Sequence, residues 1–180
     1  DGIKSRHKFR LRTYGSIMHT DTPVYLEQKG RNKERTYKHR TRIKSEELPL
    51  FYSSNNRTDL LALYPDNAVI EQFVYDSFRR DIDPVILVDY VRRPYTSNYD
   101  MNFRITFDAQ LCAFPTNNLY PVSSAPWKFC NAGYTIVETK FHRRVPSWFH
   151  RMIQAYGLNR LSISKFCRGM EVCGLAKNLE

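Results

Sequence analysis

Lys8-Phe9-Arg10-Leu11-Arg12-Thr13-Tyr14 is the stretch on which the fold turns. Successive side chains of an extended strand point to opposite faces. Lys8, Arg10 and Arg12 therefore share one face, and Phe9, Leu11 and Thr13 the other. Gly15-Ser16 ends the run. Working outward, Val24-Tyr25-Leu26-Glu27-Gln28-Lys29 is predicted as a second strand, with Glu27 and Lys29 on one face. Gly30-Arg31-Asn32-Lys33 turns the chain into a third strand over 36–43, where Lys38, Arg40 and Arg42 again share a face.

The later strands repeat the pattern. Residues 84–93 carry the apolar run Val85-Ile86-Leu87-Val88 and end in Tyr90-Val91-Arg92-Arg93-Pro94. In 102–112, Arg104, Thr106 and Asp108 oppose Phe103, Ile105 and Phe107, and in 134–141 Glu138 and Lys140 oppose Val137 and Phe141. Between them, Asp66 is placed to cap a helix running to about Arg80, with Val69, Ile70, Phe73, Val74 and Phe78 as its apolar stripe. A second helix, Pro146 to Tyr156, closes at Gly157 and offers Trp148, Phe149, Met152, Ile153 and Tyr156 for burial. Residues 45–66 read as loop with a short helix, 113–132 as a long irregular connection, and a last short helix starts after Ser162.

With 180 residues and 42% apolar content, the chain is long enough for one domain with its own core. Lys and Arg number 28 against 18 Asp and Glu, a net charge of +10, and the isoelectric point is near 9.6. Such a balance points to an anionic partner: phosphate compounds, nucleic acid or an anionic membrane surface. No apolar stretch is long enough to span a membrane, and no signal peptide is recognisable. Cys112, Cys130, Cys167 and Cys173 lack CxxC or zinc-ligand spacing. They are expected as reduced thiols of a cytoplasmic protein.

Like charges directly opposite one another on neighbouring strands repel. Sheets whose cationic faces point the same way are therefore stabilised by a polyanion. The expected fold is α+β, an antiparallel β-barrel with a basic interior and flanking helices over its apolar exterior. Phe9, Leu11, Phe103 and Phe107 are expected to point outward beneath those helices. Nucleic acid is the weaker partner, because these aromatics lie opposite the charges rather than among them. Glu27, Asp108 and Glu138 are the acids of the charged faces; Asp108 is better read as a salt-bridge partner, while Glu138 stands out as a metal ligand. No P-loop or kinase signature is present, so phosphoryl chemistry would rest on side-chain cations and a metal.

Six motifs occur in order: Lys8-Phe-Arg10-Leu-Arg12-Thr-Tyr-Gly15, Leu26-Glu27-Gln-Lys29, Tyr90-Val-Arg92, Phe103-Arg104-Ile-Thr-Phe-Asp108, Val137-Glu138-Thr-Lys140-Phe and Ser164-Lys165-Phe166. Together they resemble the VTC domain, the polyphosphate polymerase module of the vacuolar transporter chaperone family, in its short bacterial form. That family belongs to the triphosphate tunnel metalloenzymes. The resemblance implies an eight-stranded tunnel that uses ATP, polyphosphate and a divalent ion, Mn2+ or Mg2+. By this resemblance Arg10, Arg12, Lys29, Arg92, Arg104 and Lys165 are catalytic and Glu138 is the metal ligand. Lys8, Lys38, Arg40, Tyr90, Lys140 and Ser164 complete the phosphate-binding set. About six tunnel strands are legible and residue 1 is not Met, so the chain is expected to be one N-terminally truncated domain of this kind. The implied function is transfer of the γ-phosphoryl group of ATP to a growing polyphosphate chain. A non-catalytic polyanion-binding tunnel and an inorganic triphosphatase are the alternatives.

Overall fold

The computed structural model describes residues 5–32, 35–80, 82–121 and 124–176. It divides into two compact units, Asp1–Val85 with Thr116–Ser123, and Ile86–Pro115 with Ser124–Glu180. Among the described residues the strands form two antiparallel sheets, one of three strands and one of four, within a mixed α+β chain.

The first unit is a meander of β1 (Ser5–Arg12), β2 (Val24–Asn32) and β3 (Arg35–Ile43), followed by the short helices α1 (Pro49–Tyr52) and α2 (Asp59–Leu63) and the longer α3 (Ala68–Arg80). The alternation predicted for each strand is realised. Residues paired across antiparallel strands share a face, and Leu11, Leu26 and Thr41 form one row while Arg10, Glu27 and Arg40 form the next. The apolar face buries Val24, Leu26 and Ile43 against Leu48, Phe51, Leu60, Ile70, Phe73 and Val74, with Phe9 and Leu11 packed at the margin. Part of the turn expected at 30–33 lies outside the described residues. Gly30 sits within β2, where an added Cβ would fall 2.0 Å from Cζ of Tyr37, its partner across the ladder. Only a residue without a side chain fits beneath that ring.

Two details of α3 correct the sequence reading. Its cap is Asn67, whose Oδ1 accepts from the backbone N–H of Val69 at 3.2 Å and Ile70 at 3.3 Å. Asp66 instead occupies the left-handed region, at φ 59°, so it shapes the approach to the helix. Phe78 is exposed, and the buried stripe continues through Asp76 and Ser77. Ser77 can sit there because its hydroxyl donates to the Val74 carbonyl at 2.7 Å.

The second unit comprises β4 (Leu87–Thr96), β5 (Arg104–Phe114), β6 (Lys128–Phe129), β7 (Ile136–Lys140), α4 (Ser147–Ala155) and α5 (Lys165–Val172). β5 is central, pairing with β4, β6 and β7. The short β6 lies within the stretch read as irregular. The first half of the apolar run 85–88 is approach, because the strand starts at Leu87 and extends through Pro94 to Thr96. Pro is tolerated because β4 is an edge strand.

One irregularity organises this unit. Asp89 pairs with Cys112 but Val91 pairs with Ala109, so β5 holds an extra residue, and Gln110 takes φ 55°. Such a bulge exchanges the faces of a strand beyond it. Arg104, Thr106 and Asp108 lie on one face before the bulge, and Ala113 joins that same face after it, opposite Val88. The second core, around Leu111, Ala113 and Cys130 with Ile86, Val88 and Val172, therefore continues directly from the charged row. α5 lies over it through Gly169, where an added Cβ would stand 3.1 Å from Ala113 Cβ and Val88 Cγ2.

Two expected stripes are corrected here. Of the α4 residues offered for burial only Phe149 is buried, packing with Trp148 against Phe103, whereas Met152 and Tyr156 are exposed. Phe107 is also uncovered, meeting Tyr95 edge to face instead of a helix. Gly157 ends α4 in the left-handed conformation, as expected. All four cysteines are free thiols. Among the described residues no helix is long and apolar enough to cross a membrane.

Candidate functional site

In the first unit the ladder registers set the charges in rows. Lys8, Lys29 and Lys38 lie directly across from one another, and Arg10, Glu27 and Arg40 form the adjacent row. Arg12 follows opposite Tyr25. Lys8, Arg10, Arg12, Lys29, Lys38 and Arg40 thus all share the face opposite the core. Glu27 is the buried centre of the group, 1% exposed. Its Oε2 accepts from Arg10, with Nε at 3.1 Å, while Oε1 faces Lys38 Nζ at 3.1 Å and Arg12 Nε at 3.8 Å. Burial pushes the Glu27 carboxyl up, but the hydrogen bond and charge of Arg10, with Lys38 and Arg12, outweigh it and hold the pKa at about 2. Lys29 shows the opposite effect: burial first, and then the positive field of Arg10, push its ammonium pKa down. Arg40 rests on the Tyr25 ring, with Cζ 5.0 Å from the centroid.

In the second unit Thr96, Arg104 and Lys140 form one row, Pro94, Thr106 and Glu138 the next, and Arg92, Asp108 and Ile136 the third. Asp108 is fully buried. Arg92 grips it with both arms of its fork, Nε to Oδ1 and Nη2 to Oδ2, each at 2.7 Å. Lys165, the first residue of α5, reaches the same Oδ2 at 2.8 Å. Glu138 receives both cations as well, Oε2 from Arg92 Nη2 at 3.2 Å and Oε1 from Lys165 Nζ. Tyr90 lies alongside, its ring centroid 5.2 Å from both Arg92 Cζ and Lys165 Nζ. Ser164 is the N-cap of α5, its Oγ accepting from the Cys167 N–H at 3.3 Å.

The charges of this group support one another. Burial raises the Asp108 pKa, yet Arg92 and Lys165 more than reverse it and leave it lowered. Burial depresses Lys165, and Asp108 with Glu138 turn that into a net rise. Hydrogen bonding to Asp108 is the main reason that the Arg92 pKa is raised. Arg92 and Lys165 are thus held cationic at neutral pH.

Lys165 lies 73 residues from Arg92 in sequence; the bulge at Gln110 and the close approach at Gly169 are what carry it to Arg92, Asp108 and Glu138. The reading of Asp108 as a salt-bridge partner is realised. Glu27, legible in the sequence as an acid among basic strands, is paired with their cations and is the buried centre of its group. Among the described residues no group of three or more His, Cys, Asp or Glu side chains could hold a metal. A hard divalent ion that takes most of its ligands from phosphate oxygens and water still needs only one or two carboxylates. Glu138, 37% exposed at its side chain, fits that minimal role, whereas Asp108, with no surface open to solvent, does not.

The model of the VTC domain matches residues 1–173. No curated protein matches the chain.

Proposed function

The chain belongs to the VTC domain family, and from that premise we propose that it is a polyphosphate polymerase that transfers the γ-phosphoryl group of ATP to the end of a polyphosphate chain. The observation that carries this reading is the lysine row Lys8, Lys29 and Lys38, in register across three strands with Arg10 and Arg40 in the row beside it. Like charges so placed repel, and the Lys29 pKa is depressed by burial first and then by the positive charges around it, Arg10 foremost. A chain of phosphates relieves that repulsion.

Transfer breaks the bond from the γ-phosphorus to the bridging oxygen and forms one to a terminal oxygen of the acceptor, with ADP leaving. The acceptor oxygen is already ionised at neutral pH, so no side chain has to remove a proton. The obstacle is the crowding of negative oxygens, and preorganised cations lower it. Within the first unit Arg10, Arg12, Lys29, Lys38 and Arg40 offer such charge, and within the second unit Arg92, Arg104, Lys140 and Lys165 offer it. Tyr90 supports Arg92 and Lys165 through its ring face. Glu138 would hold Mn2+ or Mg2+, which when bound contributes charge neutralisation between phosphate oxygens.

The test is product length. ATP with Mn2+ or Mg2+ should give long phosphate chains, resolved on gels. Orthophosphate as the sole product would make the chain a triphosphatase. Triphosphate binding without turnover would make it a binding module.

A further inference from the structure

We propose that Asp108 is a positioning residue of this site: it holds the Arg92 guanidinium and the Lys165 ammonium in the geometry that receives a phosphate group, while Glu138 is the exchangeable anion on the same two cations. The inference rests on the polyphosphate reading and adds a division of labour between two carboxylates.

The two acids share partners but differ in access. Asp108 is 0% exposed, so no ligand from solvent reaches it. Its bidentate contact fixes the plane of the Arg92 fork, and its contact with Lys165 ties the start of α5 to β5. These are two elements with no chain continuity near the site, so without Asp108 no equally buried group among the described residues joins the two cations. Glu138 is 37% exposed and shares two donors with Asp108, Arg92 Nη2 and Lys165 Nζ. A phosphate arriving from solvent meets those same donors by taking the place of Glu138. The displaced carboxylate is then free to share a cation with that phosphate.

Neutralising either acid adds the same formal charge to the same pair of cations, so pure charge counting demands the same effect from both variants. Positioning demands opposite effects. In metal-free buffer with chelator, calorimetric titration with inorganic triphosphate should show tighter binding by Glu138→Gln, by several-fold, because a competitor is gone. Asp108→Asn should bind about tenfold more weakly, because the fork and the ammonium lose their common anchor. Asp108→Glu, which keeps the charge and moves it by one methylene, should also bind more weakly. Tighter binding by Asp108→Asn, or wild-type affinity in Asp108→Glu, would overturn the proposal. A wild-type chain that binds no triphosphate would overturn the polyphosphate reading, and this inference with it.

A further readout needs no variant and decides the matter should the buried substitutions prevent folding. The Arg92 Nε–H donates to Asp108. In nitrogen-15 spectra of the wild type, its resonance and its protection from exchange should survive saturation with triphosphate. Loss of that protection on binding would overturn the proposal.

Discussion

The two sheets use the same alternating pattern and bury opposite faces. In the first, the apolar face holds the core, with Val24, Leu26 and Ile43 beneath α3, and cations cover the other side. In the second, the charged face is buried at its centre, at Thr106 and Asp108, while Val91, Tyr95, Phe107 and Val137 opposite are exposed. Alternation establishes that a strand has two unlike faces; what packs against each face decides which is buried. In the second sheet that choice belongs to α5, which covers the charged face because the bulge at Gln110 brings Ala113 into line with Asp108. Buried charge there is tolerable because each Asp108 oxygen accepts a charge-assisted hydrogen bond.

The largest effect expected from this contrast lies at Glu138, the half-exposed acid for which the first sheet has no equivalent among the described residues. Glu138→Gln should cut metal-dependent ATP turnover by about 100-fold or more, since a bridging cation supplies several kcal/mol of charge stabilisation. Melting temperature should change little, because Asp108 still holds Arg92 and Lys165. The check is a pair of measurements on one variant, a metal titration of activity and a melting curve. Wild-type turnover would remove Glu138 from the metal role. A large loss of thermal stability with metal dependence intact would make it a structural ion pair.

Next in size is the apolar contact that the second sheet does bury. Phe103→Ala removes a ring that is 2% exposed and packed against Trp148 and Phe149. It should cost about 3–5 kcal/mol in urea unfolding, the range for emptying a buried aromatic site.

Much of this was legible in the sequence, and the exceptions share a cause. Strand periods, the meander of the first unit, and the common faces of Arg10 with Lys8 and of Arg104 with Asp108 follow from side-chain alternation. The cap at Asn67 was missed because Asp66 and Asn67 have equal capping chemistry, and backbone geometry alone separates them. The bulge was missed because Gln110 is not a residue type that signals a left-handed position. Without the bulge, the parity of Leu111 and Ala113 places them opposite Asp108, and the joining of α5 to the charged row cannot be foreseen. Exposure of Met152 and Phe107 was misread because apolar character was taken to imply cover.

A smaller effect is expected at the centre of the first sheet. Glu27→Gln should destabilise by about 1–3 kcal/mol near neutral pH, because it removes the buried counter-charge that Arg10 and Lys38 share. The cost stays moderate because Arg10 and Lys38 remain about half open to water. Its pH dependence has a definite sign. The folded carboxyl sits at about 2, below its ordinary 4.5, so its stabilisation is fully present above the ordinary value and is lost as pH falls through the folded one. The stability gap between wild type and Glu27→Gln should therefore shrink between pH 4.5 and 2. A gap that stays constant over that window would show that the carboxylate charge contributes nothing to folding.

The smallest effect should come from Phe107→Ala, and it is the direct test of which face of the second sheet matters. Phe107 has the same residue type and the same strand parity as Phe103, four positions away. Hydrophobic pattern alone predicts equal losses. In the fold, however, Phe107 is 37% exposed and its ring partner Tyr95 is itself more than half exposed. The ring therefore recovers little apolar area, and an edge-to-face pair adds only about 0.5–1.5 kcal/mol even in buried settings. Urea unfolding of Phe107→Ala should show a loss below about 1 kcal/mol, within the range of ordinary surface substitutions. The slope of the transition should be unchanged, because the area exposed on unfolding barely differs. A loss comparable to that of Phe103→Ala would mean that the apolar face is covered in solution and that the contrast between the two sheets fails at this point.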